Sequence, residues 1–190
     1  MTSKTAKAKG AERKQRLMEQ IVSKDNLNAA YLQVVRNKGA AGVDGMTVAE
    51  FGAYLWENGE NIREQLKTRK YKPQPVRRVE IPKPDGGTRK LGVPTVVDRF
   101  VQQAILQVLT PIFEEQFHDN SYGFRPRRCA QQAVLKALEM MNDGHNWIVD
   151  IDLAKFFDTV DHDKMMTSMK IQSSERRREE IYHRCLQMLC

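Results

Sequence analysis

Asp150 and Asp152 stand two residues apart in Trp147-Ile148-Val149-Asp150-Ile151-Asp152-Leu153, a run that otherwise reads as a short apolar strand. Strand alternation puts both carboxylates on one face with Ile148, and sends Trp147, Val149 and Ile151 to the other. A carboxylate among Ile and Val is costly unless it is hydrogen-bonded or holds a cation. Oxygen ligands on a rigid strand suit Mg²⁺, which takes one or two protein carboxylates and completes its shell with water and substrate phosphates. The spacing therefore predicts half of a metal-dependent phosphoryl-transfer site, because a two-metal arrangement needs further carboxylates. Phe156 and Phe157 follow directly. They read either as core aromatics closing the strand or as rings that pack under a nucleotide sugar beside the acid, and each ring can take a different role. His162, between Asp161 and Asp163, is better read as part of a helix N-cap with solvated charges than as a metal ligand.

A second group of candidates lies upstream. Pro73 and Pro75 stop helix, Val76 to Ile81 reads as a strand, and Pro84-Asp85-Gly86-Gly87 is a turn signal that returns the chain along Thr88 to Val93. Lys83 stands at the entrance of this hairpin and Arg89 on its exit, with Arg77, Arg78 and Lys90 nearby. A hairpin can act as a flap that presents Lys and Arg to phosphate oxygens. The competing reading is an exposed hairpin whose charges keep it soluble and protect its edges.

The elements that must position these groups are mostly helical. Residues 1 to about 16 are rich in Lys, Ala and Ser without apolar period, and a basic, disordered arm is expected over residues 1–22. From Ser23, the spacing of Leu27, Ala30, Tyr31, Val34 and Val35 predicts a helix with Gly39 as its C-cap. Gly39-Ala40-Ala41-Gly42-Val43-Asp44-Gly45 is a glycine-rich loop whose backbone could approach a template phosphate. Thr47 with Glu50 forms a capping box that opens a short helix through Phe51 and Leu55, and a further helix carries Ile62 and Leu66. Thr95 with Asp98 caps the clearest helix, where Val97, Phe100, Val101, Ala104, Ile105, Val108, Leu109 and Ile112 mark one buried face that Pro111 should kink or end. Ala130, Ala133, Val134, Ala137, Leu138 and Met141 predict another core-facing helix.

The 190 residues are enough for one or two modest domains. No apolar run approaches the ~18 residues needed to span a bilayer, no signal-peptide core is seen at the N-terminus, and no membrane partner is expected. Cys129, Cys185 and Cys190 form neither a zinc motif nor a disulfide framework, so a reduced, cytoplasmic setting is expected. The formal net charge of +7 is unevenly placed: cations gather in the arm and between Arg63 and Lys90, acids between Asp143 and Asp163. Cations that hold a polyanion, leading to carboxylates that hold a metal, suit an enzyme that processes nucleic acid.

Taken together, these segments resemble the reverse transcriptases encoded by group II introns, also called maturases, over roughly residues 23–166. The helix and loop ending Gly42-Val43-Asp44-Gly45 resemble the family's N-terminal extension. Ile81-Pro82-Lys83-Pro84-Asp85-Gly86-Gly87 through Arg89 to Val101-Gln102-Gln103-Ala104 resembles its first fingers block. Phe117-His118-Asp119-Asn120-Ser121-Tyr122-Gly123-Phe124-Arg125-Pro126 resembles the second, and Asp150 to Asp163 the block that opens the palm. The fold implied is α+β: mostly helical fingers with a β-hairpin, plus the opening strand of an incomplete antiparallel palm sheet. The resemblance implies an N-terminal extension at 23–75, fingers at 76–141 and the start of a palm at 145–168. It implies Asp152 as catalytic carboxylate and metal ligand with the Leu153 carbonyl, and Mg²⁺ as cofactor in the full-length enzyme. Lys83 and Arg89 would grip the incoming dNTP, and one of Phe156 and Phe157 would gate the sugar, counting from the acid in favour of Phe157. Lys70, Lys72, Arg77, Arg78 and Arg125 would hold RNA, the partners being group II intron RNA and template RNA with primer DNA.

The family's Pro-Gln-Gly segment and Tyr-Ala-Asp-Asp hairpin do not occur in this sequence. Residues 169–190, with Glu175-Arg176-Arg177-Arg178-Glu179-Glu180, read as a charged helical tail foreign to the family, as in a truncated or frameshifted copy. The function implied is RNA-directed DNA polymerisation in the full-length protein and inactivity of this chain alone. Two rival readings stand beside it: a non-catalytic RNA-binding module and a pseudogene product. A homodimer in which a second copy supplies the palm is left open.

Overall fold

The computed structural model describes residues 17–82, 84, 86–153, 156–165 and 167, with the side chains of 157 and 158 left aside. Lys83 and Asp85 at the hairpin turn, the tail, and most of the basic arm lie outside the described residues. Within them the chain is helical with one two-stranded antiparallel sheet. It divides into two compact units, one made of residues 1–108 with 157–190 and the other of residues 109–156. No helix among the described residues is long and apolar enough to cross a membrane.

In the first unit, residues 17–21 are helical. Ile21 and Val22, which the sequence reading puts in the arm, are almost fully buried. Two branched aliphatics gain enough by burial to pull the end of the arm into the core. Ser23 then caps α1 (Lys24–Asn37), its Oγ accepting from the Asn26 N–H at 3.3 Å. The Asn26 side chain donates to the carbonyls of Ile21 and Ala104, both at 2.9 Å, and its Oδ1 accepts from Gln107 Nε2 at 2.8 Å. Lys38, at φ 56°, is the C-cap, and Gly39 follows at φ +105°.

The Thr47–Glu50 capping box opens α2 (Val48–Lys67). The sequence reading divides this stretch into two helices, whereas the structure forms one of 20 residues. Phe51, Ile62 and Leu66, the buried residues of α2, explain why. Eleven residues from Phe51 to Ile62 is close to three turns, so both halves present one apolar face and burial outweighs the cost of Gly59. Phe51 lies 5.8 Å from the Tyr31 ring and packs edge-on against Phe100 at 5.5 Å.

Strands β1 (Arg77–Pro82) and β2 (Thr88–Val93) pair in register, Arg77 opposite Val93 and Pro82 opposite Thr88. Helix α3 (Val96–Glu114) follows and continues through Pro111. Val97, Phe100, Val101, Ala104 and Ile105 are buried as the period predicts, while Val108, Leu109 and Ile112 are only half-buried.

The buried carboxylate of Asp98 fixes the start of α3. Its Oδ2 accepts from Thr95 Oγ1 at 2.6 Å and from the Gln74 N–H at 3.2 Å, and its Oδ1 accepts from Tyr71 Oη at 2.7 Å. The Asp98 N–H donates back to Thr95 Oγ1 at 3.1 Å, which completes the predicted cap. A buried carboxylate needs this many donors. Gly42 lies against the same point: a Cβ there would fall 2.6 Å from Thr95 Cα and 2.7 Å from Thr95 N. Gly42 thus lets the glycine loop pack closely against the chain's own backbone.

In the second unit, α4 (Ala130–Asn142) forms as predicted but buries none of its residues. Val134 and Leu138 are both about half exposed or more. The period of a sequence fixes which residues share a face, while burial needs an element to cover that face. The expected palm strand does not form either. Residues 145–153 are irregular, with Trp147 96% exposed on one side of the alternation and Ile148 72% on the other, so both faces of the run meet solvent. A strand exists through its ladder, and no described segment pairs with this one. A short helix, α5 (Phe156–Thr159), follows. In the part of the chain that returns to the first unit, Asp161 Oδ1 accepts from the Lys164 N–H at 3.0 Å, so Asp161 caps a helical turn with His162 inside it.

Burial and the bond to Asp98 hold the Tyr71 phenol well above its ordinary range. Its stabilising contribution is fully present below the unfolded phenol value of about 10 and is lost as pH rises through the higher folded value. Tyr71→Phe should lower stability at neutral pH by about 1.5–3 kcal/mol, the worth of a hydrogen bond to a charged group. It should also remove part of the alkaline decline. Urea unfolding at pH 7 and above pH 10 checks both effects.

Candidate nucleic-acid interface

Lys70 and Lys72 flank Tyr71. With the phenol anchored on Asp98, both lysines are left exposed at the approach to the hairpin. The pairing register sorts the hairpin cations onto two faces. Arg78 and Lys90 share one face with Glu80, and Arg77 and Arg89 share the other with Val79, Ile81, Leu91 and Val93. Arg77, Arg78, Arg89 and Lys90 are all exposed. The hairpin thus presents cations on both faces, a property that alternation and register determine together. Lys83, expected beside Arg89 at the triphosphate, lies outside the described residues.

Arg99, one residue beyond Asp98, was not singled out by sequence. A Cβ on Gly39 would lie 2.5 Å from its Nη1, so the glycine leaves room for the guanidinium. Its Nε and Nη2 are buried without a hydrogen-bond partner among the described residues. Burial lowers its pKa, and the nearby Asp44 charge acts in the opposite direction.

In the second unit, Asp150, Asp152 and Leu153 lie exposed on the irregular stretch before α5. Among the described residues no group of three His, Cys, Asp or Glu side chains is placed to hold a metal ion. Two carboxylates on an unsupported segment do not make a complete Mg²⁺ site. Phe156 is partly exposed at the start of α5, and the Phe157 side chain lies outside the described residues.

Arg125, expected to face RNA, spends its guanidinium within its own loop. Nε and Nη2 donate to Glu114 Oε1 at 3.1 and 2.8 Å, and Nη1 donates to the carbonyls of His118 at 2.7 Å and Ser121 at 2.9 Å. The guanidinium also lies 5.3 Å from the Phe117 ring centroid. The side chain is only 6% exposed. Sequence shows that an arginine is present but not whether its donors are already occupied. Arg125→Ala should destabilise the loop by about 3 kcal/mol, since it strands a partly buried Glu114 carboxylate. It should leave the salt dependence of any RNA binding unchanged. Thermal melting together with a salt titration of RNA affinity separates the two effects.

Residues 81–188 match the reverse transcriptase (RNA-dependent DNA polymerase) family. This range runs on through the tail that the sequence reading set apart. The chain is 37% identical to Protein YkfC of Escherichia coli over 169 residues, 86% of this chain and 44% of that protein. It is 31% identical to the group II intron-encoded protein LtrA of Lactococcus lactis over 172 residues, 90% of this chain and 28% of LtrA. It is 36% identical to the putative COX1/OXI3 intron 1 protein of Saccharomyces cerevisiae over 115 residues, 60% of this chain and 14% of that protein. The chain therefore spans less than half the length of each of these relatives. With the family matched over more than half of its residues and group II intron-encoded proteins among its relatives, the chain belongs to the reverse transcriptase family, in its group II intron-encoded reverse transcriptase/maturase branch.

Proposed function

We propose that this chain is the RNA-gripping portion, fingers and opening of the palm, of a group II intron RNA-directed DNA polymerase. The observation that carries this reading is the run of exposed cations from Lys70 and Lys72 to both faces of the hairpin. It lies in a chain whose relatives include intron-encoded proteins. In this proposal Lys70, Lys72, Arg77 and Arg78 hold phosphates of intron or template RNA, and Arg89 with Lys83 holds the triphosphate of a dNTP. In the full-length enzyme, Asp152 and the Leu153 carbonyl contribute to an Mg²⁺ site. Phe157 gates the sugar, and the primer 3′-hydroxyl, losing its proton to solvent, attacks the α-phosphate of the dNTP as the α–β phosphoanhydride bond breaks and pyrophosphate leaves.

RNA binding by the 190-residue chain should be strongly electrostatic. Log affinity should fall with log salt by roughly 0.7 to 0.9 per phosphate contact. Arg78→Ala should lower that slope by about one at most. An affinity that stays flat from low to moderate salt would sink the reading.

A second reading, an RNA-binding module without catalysis, is favoured for this polypeptide by the exposed, unpaired stretch at Asp152 and the lack of a third described metal ligand. Primer extension on an RNA template with Mg²⁺ and dNTPs distinguishes the two. The chain alone should give no template-dependent product. Extension that disappears in Asp152→Ala would show instead that a complete site assembles, through other acids of this chain or through a second copy.

A further inference from the structure

The loop between α3 and α4 displays an aromatic ring that nothing in its own unit covers. Phe124 is fully exposed, at 111% of its reference area, and has φ +56°. Arg127, three residues on, has φ +60°. Left-handed backbone is rare and costly for a residue with a bulky side chain, and it persists only where surrounding contacts fix it. Here the contacts are those of Arg125, whose guanidinium is clamped by the Glu114 carboxylate and the carbonyls of His118 and Ser121. Pro126 restricts the backbone that follows. The loop is thus held so that the residue beside the clamped arginine points its ring into water, where an apolar surface gains nothing.

The ring's surroundings identify what would gain from it. Arg127 is exposed and makes no ion pair among the described residues. Arg128 lies 5.6 Å from the Tyr122 ring centroid, with Asp119 at 3.7 Å. Gly123 on the other side is exposed and open, with nothing within 4 Å of a would-be Cβ. A protein partner of the usual kind would find a packed apolar patch around its aromatic anchor. In the chain this ring is instead flanked by Gly123 and followed by Arg125, Arg127 and Arg128, of which Arg127 is exposed. A flat π-face with cations beside it is the arrangement by which proteins hold single-stranded nucleic acid, bases stacking on the ring while phosphates meet the cations.

We propose that Phe124 is a stacking platform for an unpaired base of the RNA, with Arg127 taking an adjoining phosphate. The inference rests on the RNA-gripping reading above and adds to it a contact with the base. It requires that the bound RNA present at least one unstacked nucleotide to this loop.

The test uses the whole 190-residue chain and two probes: a single-stranded oligoribonucleotide carrying 2-aminopurine, and a blunt duplex of the same sequence. Stacking should quench the 2-aminopurine in the parent. Phe124→Leu keeps apolar bulk but removes the π-face. It should weaken single-strand binding roughly 5- to 150-fold, the range for losing one base–aromatic stack, and abolish the quenching. Phe124→Trp should retain both, and duplex affinity should be unchanged in either variant. Should Phe124→Leu melt early, Phe124→Gly, which is at ease at positive φ, must show the same selective loss. Unaltered single-strand binding in the Leu or Gly variant, with a salt-dependent parent, would overturn this inference alone. Equal losses on single strand and duplex would show that the ring only supports the loop, and would overturn it too. A parent that binds neither probe would remove the RNA-gripping reading along with it.

Discussion

The Asp98 carboxylate is the constraint on which the first unit depends. Three donors from separate parts of the chain converge on it: the Thr95 hydroxyl beside it, the Gln74 backbone N–H, and the Tyr71 phenol. Leaving any of them out would strand charge in a region where Val96, Val97 and Val101 exclude water. The cluster therefore joins the segment leaving α2 to the start of α3. Between those two anchored points the chain has only to form the hairpin, whose ends are fixed within a few residues of the carboxylate. Few of the hairpin's own side chains are buried, so its placement comes from these ends and not from a core of its own.

This construction suits the polyanion contact proposed for the hairpin. A hairpin held by its base can leave its cations in solvent, where they are free for phosphates. Arg78 and Lys90 face one way, Arg77 and Arg89 the other. The glycine loop contributes in a different manner. Gly42 lets the backbone close on Thr95 and Gly39 leaves room for Arg99, so the loop reinforces the start of α3. The second unit follows a contrasting logic. One of its internal ties is Arg125, which joins Glu114 to two loop carbonyls. Much of its apolar surface, on α4 and over residues 147–153, remains exposed.

Local signals were legible wherever one turn or one hairpin contains the physics. The Thr47–Glu50 box, the Thr95–Asp98 cap and the paired strands can each be read from residues a few positions apart, and each formed. Periodicity also located the faces of α2, α3 and α4. It could not tell whether a face would be covered: the α3 stripe is buried through Ile105 and only half-buried beyond, and the α4 stripe is exposed. The division of α2 into two helices was an error of weighting, since Gly59 costs less than a continuous buried face gains.

The sequence by itself determined the family, the order of its motifs and the identity of the groups proposed to meet phosphate and metal, because these reside in residue type and spacing. Tertiary structure decided which of those groups are free. Tyr71 and Asp98 lie 27 positions apart and become a bonded pair only when α3 packs, and that pairing leaves Lys70 and Lys72 in solvent. Arg125 looks in sequence like its neighbour Arg127, yet its donors are occupied by groups up to eleven residues away. The run around Asp152 has the pattern of a strand, and a pattern becomes a strand only when another strand accepts its hydrogen bonds. Hydrogen bonds and burial are properties of pairs, and a linear sequence names only one member of each pair at a time.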